Sequence, residues 1–132
     1  MAKEKMQIGE LAERAGVTPR TIRYYESLNL LGPCEREGKG FRYYSEQEFV
    51  RLKKIETFKQ LGLSLEEIAG VIDLYFAEAS GIQGKQKVLE ILRRHLAETE
   101  SKLGDLQRFR QEILANIERM EHWIAEAQQK QA

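Results

Sequence analysis

Apolar residues recur along this chain with a period that changes from segment to segment. Ile8, Leu11, Ala12 and Ala15 fall at i, i+3, i+4 and i+7, and Gly16 stands where a helix commonly ends in left-handed backbone. The spacing predicts a short first helix. In VTPRTIRYYES, Thr18 is placed to cap, and Pro19 takes the first helical position, where its missing N–H costs nothing. A second helix therefore starts three residues after the first ends, the arrangement of a helix-turn-helix.

At about 100° per residue, Pro19, Ile22, Tyr25 and Glu26 cluster on one face of that second helix. Arg20, Arg23, Tyr24 and Ser27 face the other way, with Thr21 at the edge. Arginine forks onto guanine or phosphate, and Tyr, Ser and Thr hydroxyls bond phosphate oxygens, so this face suits a DNA major groove. A solvated amphipathic helix shares the same pattern.

The period then shortens. LNLLGPCEREGKGFRYYS leaves the helix through Leu30 and Leu31, turns at Gly32-Pro33, and enters two short extended runs around Gly38 and Gly40. These runs read as a hairpin carrying Arg36, Lys39 and Arg42, a basic wing beside the second helix.

Helical spacing returns after the wing. Ser45 and Glu48 form an S-x-x-E capping box before a helix reaching about Gln60, with Phe49, Leu52, Ile55, Phe58 and Lys59 along one side. Ser64 and Glu67 repeat the device before a stripe of Leu65, Ile68, Val71, Ile72 and Tyr75. Both helices are expected to close a core over the first two.

The last third changes period once more. Leu89, Leu92, Leu96, Thr99, Leu103, Leu106, Arg110, Ile113, Ile117, Met120, Ile124 and Ala127 recur at alternating three- and four-residue steps, with no proline among them. A lone helix of about 40 residues, roughly 60 Å long, cannot bury such a seam on one small domain. It needs a partner helix. Thr99 and Arg110 are the polar seam positions and candidates to fix the register; Arg110 has a second reading, a stem laid over the seam with its charge in water.

Composition narrows the function. The 132 residues are net neutral, but residues 1–60 hold twelve Lys/Arg and nine Asp/Glu while the remainder holds nine and twelve. The basic part points to a polyanionic partner. One cysteine, Cys34, cannot form an intrachain disulfide or a multi-thiolate metal site, and MAKEKMQIG is no signal peptide, so a cytoplasmic protein with no membrane segment is expected. No nucleophile, acid–base pair or phosphate loop is visible, which argues against an enzyme.

With these elements in place, QIGELAERAGVTPRTIRYYESLNLLGP followed by REGKGFRYYSEQEFVRLKKIETFKQLGLSLEEIAGVI, within residues 7 to 72, resembles the DNA-binding domain of the MerR family of bacterial transcription regulators. The resemblance implies an all-α dominated fold: a winged helix-turn-helix domain with a small β-hairpin wing, then a long antiparallel coiled-coil dimerisation helix. It also implies a homodimer on double-stranded DNA that bends and untwists a promoter for RNA polymerase, and possession of a small-molecule inducer by some members. On that reading residues 1–76 are the DNA-binding domain, with the wing near 35–44. Residues 77–84 link it to a dimerisation helix at 85–128, and 129–132 form a tail.

If the pair is antiparallel, as the resemblance implies, the seam is self-complementary about position 108, with Leu92 against Ile124, Leu96 against Met120, Thr99 against Ile117, Leu103 against Ile113, and Leu106 against Arg110; a register shifted by half a heptad is the alternative. The DNA-contacting residues are expected to be Arg20, Thr21, Arg23 and Tyr24 in the major groove, with Arg36, Lys39, Arg42 and Tyr43 of the wing on backbone or minor groove.

The family's sensing machinery is where this sequence departs. EASGIQGK and IAEAQQKQA lack the cysteines of metal-sensing members, and no metal or cofactor is expected. His95 and His122 read as solvated residues rather than ligands, and Cys34 as a small apolar residue or, alternatively, an electrophile sensor. Tyr75 and Phe76, with Trp123 from a partner chain, either wall a small apolar pocket or pack a helix end. No separate effector domain is expected after Trp123. Two other functions fit the residues: an architectural DNA-binding factor, and a protein-interaction module built on the coiled coil.

Overall fold

The structure, a computed structural model, describes residues 5–32, 35–37 and 41–131. The chain runs α1 (Ile8–Ala15), α2 (Pro19–Ser27), β1 (Glu35–Glu37), β2 (Phe41–Tyr43), α3 (Glu46–Gln60), α4 (Leu65–Phe76) and α5 (Ile82–Gln131). It divides into two compact units, residues 1–91 and 92–132.

In the first unit the expected devices fold as the residues dictate. Gly16 closes α1 at φ 73°, and the Val17 amide donates to the Ala12 carbonyl at 3.0 Å, so the turn between α1 and α2 needs a residue free to adopt left-handed backbone. Thr18 caps α2 by accepting from the Thr21 amide at 3.1 Å. The capping boxes of α3 and α4 both form, and Ser64 accepts from Glu67 at 3.1 Å while Glu67 accepts the Ser64 amide at 2.9 Å. Glu48 is buried as it caps α3.

The core is apolar and joins all four short helices. Leu11, Ala12 and Ala15 of α1, Ile22 and Tyr25 of α2, Leu52, Ile55 and Phe58 of α3, and Ile68, Val71 and Ile72 of α4 are buried together with Leu30 and Leu31. Ile8, Phe49, Leu65 and Tyr75, expected on the same stripes, are only half-buried because they lie at the ends of their helices. The wing pairs β1 with β2 antiparallel, Arg36 opposite Arg42. The Met6 amide donates to the Tyr44 carbonyl at 2.7 Å, and the Tyr44 amide returns a bond of 2.8 Å, so the segment before α1 extends the hairpin.

Helix α5 begins at Ile82 rather than near 85 and ends at Gln131 rather than near 128. Gly84 is tolerated in its first turn because it is packed: an added Cβ would lie 2.4 Å from the Tyr75 Cα. Gly84, Val88 and Ile91 form a second short stripe, at i, i+4 and i+7, buried within the first unit. The heptad seam hides that stripe in the sequence.

The described part of the second unit, residues 92–131, is helical throughout. Leu96, Leu103, Leu106, Ile113, Ile117, Met120 and Ile124 are all exposed in the single chain. Phe109, Leu114 and Trp123 flank the seam and are exposed as well, so the apolar stripe is broader than the three-four spacing alone suggests. The Thr99 hydroxyl bonds the His95 carbonyl at 2.8 Å, which satisfies its polar group within the helix. Among the described residues no helix is long and apolar enough to cross a membrane.

Candidate nucleic-acid interface

The second helix keeps its two faces apart. Ile22 and Tyr25 are buried, while Arg20 and Arg23 are exposed and Tyr24 is 54 % exposed. Thr21 is half-buried at the edge, with its hydroxyl 3.0 Å from that of Thr18. The Ser27 hydroxyl donates back to the Tyr24 carbonyl, so it stays close to the helix.

The inner face is fixed by polar bonds as well as by packing. The Tyr25 hydroxyl donates to Glu56 of α3 at 2.8 Å and accepts from the Lys59 ammonium at 2.8 Å. Burial is the larger influence on Tyr25 and raises its phenol above the ordinary value, while the hydrogen bond to Tyr25 raises the Lys59 ammonium. Glu26, next along the helix, accepts the Tyr44 hydroxyl at 2.5 Å. Adjacent tyrosines thus divide the work: Tyr25 anchors, and Tyr24 faces outward.

Arg51 ties the exit of α2 to the rest of the domain. Its Nε donates to the Leu30 carbonyl at 2.6 Å, and a terminal nitrogen pairs with Asp73 of α4. Arg14 does the same for α1, pairing with Glu46 at 2.6 Å and lying 4.1 Å above the Phe49 ring centre. Nothing local in the sequence marks Glu56, Lys59, Arg51 and Tyr44 for these contacts, because their partners lie 18 to 34 positions away.

On the wing, Tyr43 is half-buried, and the backbones of Arg36 and Arg42 pair across the hairpin. The side chains of Arg36 and Arg42, and Lys39 and Cys34 altogether, lie outside the described residues. Among the described residues, no group of three or more His, Cys, Asp or Glu is placed to hold a metal ion. His122 faces Glu126 at 3.1 Å on its own helix. Tyr75 meets Phe76 edge to face with ring centres 5.2 Å apart, and Phe58 with centres 5.7 Å apart.

A capped helix-turn-helix with its second helix pinned on one face and basic on the other, followed by a hairpin and a long exposed seam, defines a winged-helix DNA-binding protein. Comparison with known proteins agrees. Residues 6–74 match the MerR HTH family regulatory protein model, and residues 49–116 match the MerR DNA-binding model. The chain is 41 % identical over 101 residues to the mercuric resistance operon regulatory protein of Bacillus cereus, covering 68 % of this chain and 76 % of that one. Its fold matches that of a transcription regulator from Ralstonia metallidurans CH34 solved in complex with lead(II), with a TM-score of 0.70, 29 % identity and 83 % of each chain covered. It also matches EcmrR in a cryo-electron microscopy structure of an EcmrR–DNA complex, at a TM-score of 0.55 and 26 % identity, over 80 % of this chain and 38 % of that one. The chain belongs to the MerR family and is a DNA-binding transcription regulator.

Proposed function

We propose that the protein acts as a homodimer that grips a two-fold symmetric promoter site and bends and untwists it, presenting it to RNA polymerase. The observation that carries this reading is the exposed basic face of α2 on a helix whose other face is bonded to Glu56 of α3 and to Tyr44, just past β2. Arg20, Thr21, Arg23 and Tyr24 enter the major groove, and Arg36, Lys39, Arg42 and Tyr43 hold backbone or the adjacent minor groove. Distorting the DNA costs a few kcal/mol, offset by contacts that the bent form permits.

On this reading residues 1–76 bind DNA, 77–84 link, 85–128 dimerise and 129–132 form a tail. Leu92, Leu96, Leu103, Leu106, Ile113, Ile117, Met120 and Ile124 meet their counterparts in an antiparallel coiled coil. The protein works by binding and not by catalysis, in the cytoplasm. Two of the related proteins are named for mercury or solved with lead, but one cysteine in 132 residues cannot build a multi-thiolate site within a chain, so those metals are not carried over to this protein.

The test is a binding titration of Arg23→Ala across salt concentrations. If Arg23 holds a phosphate, affinity falls and the log–log salt slope drops by about 1. Unchanged affinity and slope would remove Arg23 from the interface.

A further inference from the structure

Arg51 touches both the exit of α2 and the end of α4. It sits in the second turn of α3, and its side chain is only 17 % exposed. One nitrogen of its guanidinium holds the Leu30 carbonyl, just past the recognition helix. Another holds Asp73 in the last turn of α4, and the group also faces the ring of Phe76, with its central carbon 5.9 Å from the ring centre. Because a guanidinium is a rigid planar fork, this one side chain sets the spacing between the exit of α2 and the end of α4.

The end of α4 is in turn locked to the root of α5. Tyr75 stands edge-on to Phe58, and the Lys54 ammonium lies 4.5 Å above its ring. Gly84 of α5 seats against the Tyr75 backbone with no room for a Cβ. A displacement of the α5 root must therefore move the last turn of α4, and through Asp73 and Arg51 it reaches the Leu30 carbonyl.

We propose that Arg51 is a positioning residue for DNA recognition, a strut that transmits the placement of the α5 root to the recognition helix. This rests on the reading of α2 as the DNA-contacting helix. Arg51 acts through Leu30 and need not touch DNA. Its loss loosens the angle of α2, which costs specific contacts and leaves non-specific phosphate attraction in place.

The full-length protein is titrated against a duplex of the DNA upstream of its own gene and against a scrambled duplex of equal length, across salt, with melting curves alongside. Arg51→Gln is expected to lower affinity for the upstream duplex about tenfold, with scrambled-duplex affinity and salt slope unchanged. Asp73→Asn alters a carboxylate that is 81 % exposed, so the variant folds, and it is expected to lower specific affinity about threefold. The double variant is no weaker than Arg51→Gln alone, since both residues act through one strut. Arg51→Lys restores little, because a point ammonium cannot bridge both partners.

Unchanged specific affinity in folded Asp73→Asn would overturn the proposal, as would additive losses in the double variant. An equal loss on both duplexes with the slope reduced by about 1 would make Arg51 a phosphate contact instead. If the parent protein itself does not prefer the upstream duplex, the functional reading fails, and this proposal with it.

Discussion

The Tyr25 hydroxyl of α2 donates to the Glu56 carboxylate of α3 at 2.8 Å, and the Lys59 ammonium reaches the same hydroxyl at 2.8 Å. This three-group cluster fastens the inner face of the recognition helix to the helix behind it. Tyr25→Phe keeps the ring in the core and removes the hydroxyl, so the expected cost is about 1 kcal/mol in urea denaturation. Tyr24→Phe, on the exposed face, leaves stability unchanged but weakens DNA binding. A stability loss in Tyr24→Phe rather than Tyr25→Phe would reverse the assignment of the two faces.

The same cluster sets a pH dependence. Burial holds the Tyr25 phenol above its ordinary 10.0, and the bond to Tyr25 holds the Lys59 ammonium above 10.5. Both groups bind their protons more tightly in the folded chain. Their contribution to stability is therefore complete below about pH 10 and is lost as pH rises through the folded values. Tyr75, lowered by Lys54, moves the other way and partly opposes the loss. Denaturation midpoints measured from pH 8 upward should fall above about pH 10, and the fall should be shallower in Tyr25→Phe. Coincident profiles for the two proteins would remove the cluster from the explanation.

Two glycines of α5 should respond in opposite directions to alanine. In Gly84→Ala the new Cβ meets the Tyr75 backbone at 2.4 Å, so the helix must shift, at an expected cost of about 1–3 kcal/mol. In Gly104→Ala the nearest atom is a flexible arginine nitrogen at 3.7 Å, so the gain in helix propensity, about 1 kcal/mol, is kept. Thermal melts of both variants check this. Equal stabilisation of the two would mean that α5 does not seat on α4 through Gly84.

How far the sequence could be read follows from the range of each signal. Caps, turns and stripes are local, so the capping boxes at Ser45 and Ser64, the glycine stop at Gly16 and the division of α2 into two faces were all legible. The bonds of Tyr25, Tyr44 and Arg51 were not, because they join residues far apart in the chain and follow no periodic rule. The buried stripe of Gly84, Val88 and Ile91 was masked by the stronger heptad pattern overlapping it, which also set the expected start of α5 too late. Of the candidate contacts, those on α2 could be placed on an exposed face, whereas the side chains of Arg36, Lys39 and Arg42 lie outside the described residues.

The seam makes its own prediction. Leu106 and Ile117 are exposed in the single chain at positions that the proposed antiparallel pairing would bury. Lysine at both positions should place charges in an apolar seam and convert the dimer to monomer in sedimentation velocity, with circular dichroism showing that the first unit keeps its helices. A double variant that still sediments as a dimer would mean that another surface joins the chains.

The most direct measurement is a footprint of the purified protein on the DNA upstream of its own gene, repeated across salt concentrations. The account predicts a protected, two-fold symmetric site with hypersensitive central bases, marking a dimer that distorts its promoter. Weak protection without symmetry that vanishes at physiological salt would contradict it.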